Sequence, residues 1–119
     1  MDLREEILGI KDCDERVITI KKWNGRKVLV KAFTAGARYE LISQCTRVKD
    51  GEADVDGKKL MILTVIESAY DPATGKRLFT IADYETLIAK SYGAIEAIAR
   101  TANELSGVGD DAIEDAEKN

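Results

Sequence analysis

The chain has 119 residues, 45% of them hydrophobic and 34% charged, with a net charge of −4. That length predicts a single domain burying roughly two thirds of its extended surface, and no apolar run approaches the ~20 residues a membrane span needs. The absence of histidine excludes Ser-His and Cys-His nucleophile pairs and histidine metal ligands, and Cys13 and Cys45 by themselves do not make a zinc site.

An enzyme built from this sequence would have to run on carboxylates, lysines or tyrosines, and no catalytic residue, metal or cofactor is expected. Two thiols far apart in sequence read as free, as in a reducing compartment. The start MDLREEILGIKD is acidic and amphipathic, unlike a secretory signal. A cytoplasmic protein is expected.

In chain order, residues 3–10 (LREEILGI) place Leu3, Ile7 and Ile10 at helical spacing, which predicts a short helix ended by Gly9 and the polar run Lys11-Asp12-Cys13-Asp14. Residues 17–33 (VITIKKWNGRKVLVKAF) predict a β-hairpin about Asn24-Gly25, since a type I′ turn needs positive φ at both central positions. Closing it at Trp23 and Arg26 pairs Lys21 with Val28, Thr19 with Val30 and Val17 with Ala32. Val17, Trp23, Val28, Val30 and Ala32 then share one face, and Ile18, Ile20, Leu29 and Phe33 the other. The end away from the turn is expected to be buried and the turn end wet.

Thr34 is a candidate N-cap for a helix over about 35–48, with Ala37, Leu41, Cys45 and Val48 on one stripe widened by Ile42. Residues 49–57 read as a polar loop. Asp56 then caps a helix over about 58–70 that is apolar almost all round, the pattern of a central helix. Asp71-Pro72 ends it. Thr80 and Asp83 form a candidate capping box for a helix over about 81–91 with Ile81, Tyr84, Leu87 and Ile88 inward. A last helix, about 92–105, uses Ile95, Ile98, Ala99, Ala102 and Leu105 and stops at Gly107. The predicted fold is α+β: an N-terminal β-hairpin packed on about four helices in one domain, residues 1–106. An acidic flexible tail, 107–119, carries Asp110, Asp111, Glu114, Asp115 and Glu117 against Lys118.

Three motifs suggest chemistry and fall short of it. With Gly57 at position 6 of a calcium loop, DGEADVDG puts Glu52, Asp54 and Asp56 in ligand places, but Leu63 stands where the closing glutamate belongs. YDPATGKR holds the Gly-Lys of a phosphate loop, yet Tyr70 and Arg77 occupy its glycine and hydroxyl positions, and it follows a helix. The segment 16–38 carries Arg16, Lys21, Lys22, Arg26, Lys27, Lys31 and Arg38 with no acid, and Trp23 offers a ring to a base. Against nucleic acid stand a pI near 4.9, where such modules usually lie above ~9, and the lack of a second aromatic beside the turn. Lysines on a hairpin edge also serve solvation and keep other strands off. Tyr39, Tyr70, Tyr84 and Tyr92 read as packing residues at core margins.

The order of these parts resembles the tail assembly chaperones of long-tailed bacteriophages and prophages. EEILGIKDCDER (5–16) resembles their amphipathic opening and acidic linker. VITIKKWNGRKVLVKAF resembles their signature of two valine-rich strands around a tryptophan and a glycine turn, followed by the helix start Thr34–Arg38. LMILTVIESAYDPATGKRLFT (60–80) resembles their apolar helix and Asp-Pro-Gly-Lys-Phe-Thr loop, and DYETLIAKSYGAIEAIARTANELS (83–106) their closing helix pair. Lys21-Lys22 stands where members often have proline and glutamate, and Asn24-Gly25 where they have paired glycines.

The resemblance implies a non-enzymatic protein of the bacterial host cytoplasm. It would bind the long helical tape measure protein and keep it soluble while tail-tube subunits assemble around it. Helices 58–70, 81–91 and 92–105 are the candidate groove walls, and Trp23, Leu60, Tyr70, Tyr84 and Tyr92 the candidate partner contacts. Further implied partners are the tail-tube protein, a second copy in a homo-oligomer, and a longer frameshifted form of the chain, for which Glu117-Lys118-Asn119 permits a slippery adenine run. The alternatives are a structural tail or head-tail component, and a small nucleic-acid-binding protein using 16–38.

Overall fold

A computed structural model describes residues 2–108; the expected acidic tail lies, from residue 109 on, outside the described residues. The elements in order are α1 (Leu3–Gly9), β1 (Glu15–Ile20), β2 (Arg26–Lys31), α2 (Ala35–Cys45), β3 (Thr46–Lys49), β4 (Glu52–Val55), α3 (Gly57–Ser68), β5 (Ala69–Tyr70), α4 (Tyr84–Ile88) and α5 (Tyr92–Leu105). The fold is α+β, with the N-terminal hairpin packed on helices as the sequence predicts. Strands β1, β2 and β5 form an antiparallel sheet in the order β1-β2-β5, and β3 and β4 form a separate two-stranded ribbon.

The predicted caps are present. Thr34 Oγ1 accepts from the Ala37 amide at 3.1 Å, and Asp56 Oδ1 accepts from Lys59 at 3.1 Å. Thr80 and Asp83 make the reciprocal capping box, which opens a single 3₁₀ turn at Ile81–Asp83. Gly107, at φ +74°, closes α5: its amide donates to Glu104 O and that of Val108 to Asn103 O.

The hairpin register differs from the one expected. Ile18 lies opposite Val28, Arg16 opposite Val30 and Ile20 opposite Arg26. Asn24 and Gly25 do have positive φ, at 56° and 70°, but a 3₁₀ turn over Lys21–Trp23 precedes them and lengthens the loop to Lys21–Gly25. The shift from the expected pairing is odd, so every β1 side chain changes face relative to β2. Ile18 and Ile20 now share the core face with Val28 and Val30, whereas the two-residue turn would put Lys21 there. Burying an isoleucine in place of a lysine is worth ~1.5–3 kcal/mol, which outweighs the extra loop residues. Burial consequently follows faces, not ends: Ile20 and Val28 near the turn are buried, and Glu15, Arg16 and Val17 at the far end are exposed.

Other boundaries move for local reasons. Helix α2 stops at Cys45, where the Thr46 hydroxyl turns back to donate to Ile42 O. The expected polar loop at 49–57 is largely the β3–β4 ribbon, turned by Asp50-Gly51 with φ of 54° and 80°, so Val48 is 79% exposed on a strand and leaves the helical stripe. Ala69 and Tyr70 leave the helix to pair with Val30 and Leu29, supplying partners along the open side of β2. Helix α4 spans only Tyr84–Ile88, and Ile81 before it is 66% exposed, not inward.

The core gathers Ile20, Val28 and Val30 of the sheet, Ile62, Leu63 and Val65 of α3, and Ile95 and Ile98 of α5. Ser106 ties α5 to the sheet: its Oγ accepts from the Phe33 amide at 2.8 Å and donates to Ala102 O at 2.6 Å. We expect Ser106→Ala, which strands the Phe33 N–H, to cost about 1–3 kcal/mol in urea unfolding. Val48→Ser on the exposed ribbon should stay within ~0.5 kcal/mol. The two thiols should also separate in a modification time course. Exposed Cys13 reacts at once, while Cys45, 1% exposed and with its thiol pKa pushed up by burial, reacts only as the protein unfolds.

Candidate functional site

Helix α3 runs through the middle of the molecule, and its flank toward α5 and α4 carries two adjoining clefts. The first, ≈390 Å³, lies between α3 and α5 with Leu60, Thr64 and Ala99 in its walls and Arg38 and Val108 at its margin. The second, ≈370 Å³, lies between α3, α4 and the start of α5, floored by Ile62, Leu87 and Ile95. Gly57 and Met61 belong to both. A third cleft, ≈340 Å³, continues past Leu87 and Lys90 to Phe79 and Trp23. These three form an apolar track across one side of the protein. On the other flank of α3 a separate cleft of ≈460 Å³ faces α2 and carries Glu40 and Glu67.

Charge along the track changes from one end to the other. Beside the first cleft the ions compensate each other: Arg100 meets Glu96 at 3.2 Å and Glu104 at 3.9 Å, and Glu104 meets Arg16 at 3.2 Å. The second and third clefts are bordered by Lys58, Lys90 and Lys22, with no acid among their lining residues. That stretch combines an apolar floor with a cationic rim, whose Lys58 also feels the Asp56 carboxylate, and it suits an apolar ligand face flanked by acids.

The sequence-predicted contact residues divide between two settings. Leu60 lines the first cleft, Tyr92 (71% exposed) borders the second, and Trp23 lines the third, its ring edge-on to Phe79 at 6.3 Å and 78°. Tyr70 stands on the outer face of the sheet in line with Leu29 and Val17, with Lys31 Nζ 4.3 Å from its ring centroid. Tyr84 is half-buried against the core at the start of α4. Neither joins the track. Met61, Leu87 and Lys90, which link the clefts, are not among the sequence-predicted contact residues, although the sequence places Leu87 inward; Met61 sits within a continuous apolar run where one cleft-facing residue looks like any core residue.

The cations of 16–38 do not form one surface. Arg16 is paired with Glu104, Lys31 lies over Tyr70, and Arg38 lines the α3–α5 cleft. Among the described residues no group of three or more acidic or cysteine side chains is placed to hold a metal, and no helix is long and apolar enough to cross a membrane.

No protein-family model matches the chain, and no curated protein matches it. Among solved structures, the bacteriophage HK97 tail assembly chaperone is similar to this chain, with a TM-score of 0.56, covering 86% of this chain and 95% of that one. The sequences are 14% identical, so the likeness is one of fold.

Titration offers a check on the packing beside the track. Burial, then Asp56, Glu85 and Cys45, hold the Tyr84 phenol above its ordinary pKa. The folded state favours the neutral phenol, so its contribution to stability is present below the unfolded value of ~10 and is lost as pH rises through the higher folded value. Alkaline difference spectra of wild type and Tyr84→Phe should show the absorbance change assigned to Tyr84 displaced to higher pH than in the urea-unfolded chain.

Proposed function

We propose that this protein is a phage tail assembly chaperone, acting in the host cytoplasm, that binds the tape measure protein and keeps it soluble until tail-tube subunits enclose it. The observation that carries the reading is the shared fold with a phage tail assembly chaperone over most of both chains. The apolar track supports it from the chemistry. A long helical partner exposes a stripe of side chains at i, i+3, i+4 and i+7, and such a stripe aggregates unless an apolar groove takes it up. The clefts between α3, α4 and α5 offer that groove, with Leu60, Met61 and Tyr92 along it. The binding work is reversible burial and calls for no bond to form or break, in keeping with a protein that leaves once its partner is enclosed.

Co-expression with the long helical tape measure protein of the same phage or prophage should move that partner into the soluble fraction and co-purify the two. Met61→Ala combined with Tyr92→Ala should weaken the complex about tenfold or more, ~1.4 kcal/mol, with an unchanged far-UV circular dichroism spectrum. A partner that stays in the pellet with nothing co-purifying rules the reading out.

A further inference from the structure

The cleft between α3 and α5 holds two polar groups that the fold leaves without partners. Asn103 Oδ1 is buried there and accepts no hydrogen bond among the described residues. Arg38 lines the same cleft and, unlike Arg16 and Arg100, has no ion-pair partner among them. The acids of the cleft, Glu96 and Glu104, are already bonded to Arg100 and Arg16. Leaving a buried acceptor without a donor costs free energy, so the cleft favours an occupant that brings an N–H to Asn103 and an anion to Arg38. Its walls at Leu60, Met61 and Ala99 ask for an apolar group as well. An acidic peptide with one aliphatic side chain supplies all three.

We propose that residues 109–117 of the same chain lie back along the track as an acidic strap. Asp110 and Asp111 meet Arg38, Ile113 rests on Met61, and Glu114 and Asp115 face Lys58 and Lys90. The course of the chain selects this occupant. After the Gly107 turn the Val108 amide donates to Asn103 O at 2.8 Å, and Val108 itself lines the cleft. Asp110 is two residues farther on, at most ~7 Å along an extended chain, and Glu114 is six, at most ~20 Å. Asn103 and Tyr92 are eleven residues apart on α5, or ~16 Å at 1.5 Å per residue, so the strap reaches the second cleft. Charge selects the same surface. Residues 109–117 carry Asp110, Asp111, Glu114, Asp115 and Glu117 with no base, and the track offers Arg38, Lys58 and Lys90. The cleft on the α2 flank has Glu40 and Glu67 in its walls and no cation.

The strap covers the apolar track while no partner is bound, and an incoming helix must displace it. That consequence rests on the function proposed above; the contact of residues 109–117 with the track does not.

The chain has two methionines, Met1 and Met61, so carbon-13 labelling of their methyl groups gives NMR signals of which one reports on the track. Truncation after Val108 should move the Met61 resonance and leave that of Met1 in place. In the full chain, Asp110→Asn combined with Asp111→Asn should move Met61 part of the way, and so should Arg38→Glu, each with unchanged circular dichroism. A synthetic peptide of residues 109–119, added to the truncated chain at on the order of the millimolar concentration that a short tether provides, should return Met61 toward its full-length position. The same peptide with Ile113→Asp should not. A Met61 resonance indifferent to truncation overturns the proposal, as does a shift that neither charge variant reproduces or that the peptide does not reverse. Equal action of the Ile113→Asp peptide overturns it too. A Met61 position that varies with protein concentration assigns the contact to a neighbouring copy and equally overturns it. The spectra are read without the tape measure protein, so failure here and failure of co-purification are independent results.

Discussion

Helix α5 lies between the inner face of the sheet and helix α3, and that sandwich governs everything placed around it. Its buried residues alternate bulk and smallness: Ile95 and Ile98 fill space, while Ala94, Ala99 and Ala102 let neighbouring backbones come close. Ile98 has no solvent exposure, and neither do Val30 on the sheet and Val65 on α3. The sheet has only one way to meet this helix with aliphatic side chains, which is to turn Ile18, Ile20, Val28 and Val30 inward together. The lengthened loop at Lys21–Gly25 is the local cost of that arrangement. Its by-product is Trp23, carried off the strand and against Phe79, where it lines the last cleft of the track.

The same sandwich explains which parts of the fold were legible in the sequence. Helix α5 was readable to its ends because both its apolar period and its glycine stop are local, and the caps at Thr34, Asp56 and Thr80 are local too. Strand register is not local. Asn24-Gly25 announces a turn, but the number of residues the loop contains depends on which face of β1 the helix wants, and α5 lies some seventy residues downstream. Asp50-Gly51 is the better two-residue turn of the pair, with both φ values positive and Lys49 directly opposite Glu52. Its strands lack the long apolar alternation that flags a hairpin, so it read as a loop. Of the candidate contact residues, Leu60, Tyr92 and Trp23 reach the clefts, while Tyr70 and Tyr84 have the same sequence signature and different surroundings. An aromatic near a helix end marks a margin of the core without saying which margin.

Charge placement along the track also follows from packing. On α5 the exposed side repeats Glu96, Arg100 and Glu104 at helical spacing, so the ions neutralise one another, and Arg16 from the sheet joins them. Such surface pairs add little stability. Their effect is to leave that stretch electrically quiet. Lys58 and Lys90 stand at the beginning of α3 and just beyond α4: Asp54, four residues before Lys58, is bonded to Arg47, and Lys90 has Thr86 and Ala94 at its i−4 and i+4 positions. The cationic rim is thus a result of where helices start and stop.

Beyond the sandwich the chain carries two appendages, α1 and the β3–β4 ribbon, and both are amphipathic without contributing to the core. The ribbon shows it most clearly. Its pairing puts Thr46, Val48, Ala53 and Val55 on one side, and Arg47, Lys49, Glu52 and Asp54 on the other, with Arg47 bonded to Asp54 at 3.2 Å. All its residues are exposed, and a lone two-stranded hairpin is marginally stable in water. A sequence with no use for that apolar side would be expected to make it polar, since the core is complete without it. Retaining valines and isoleucines on elements that the core does not need costs solubility and gains the monomer nothing. That apolar side is available to contacts outside the monomer, where a weakly held element can exchange one apolar surface for another without disturbing the sandwich that positions it.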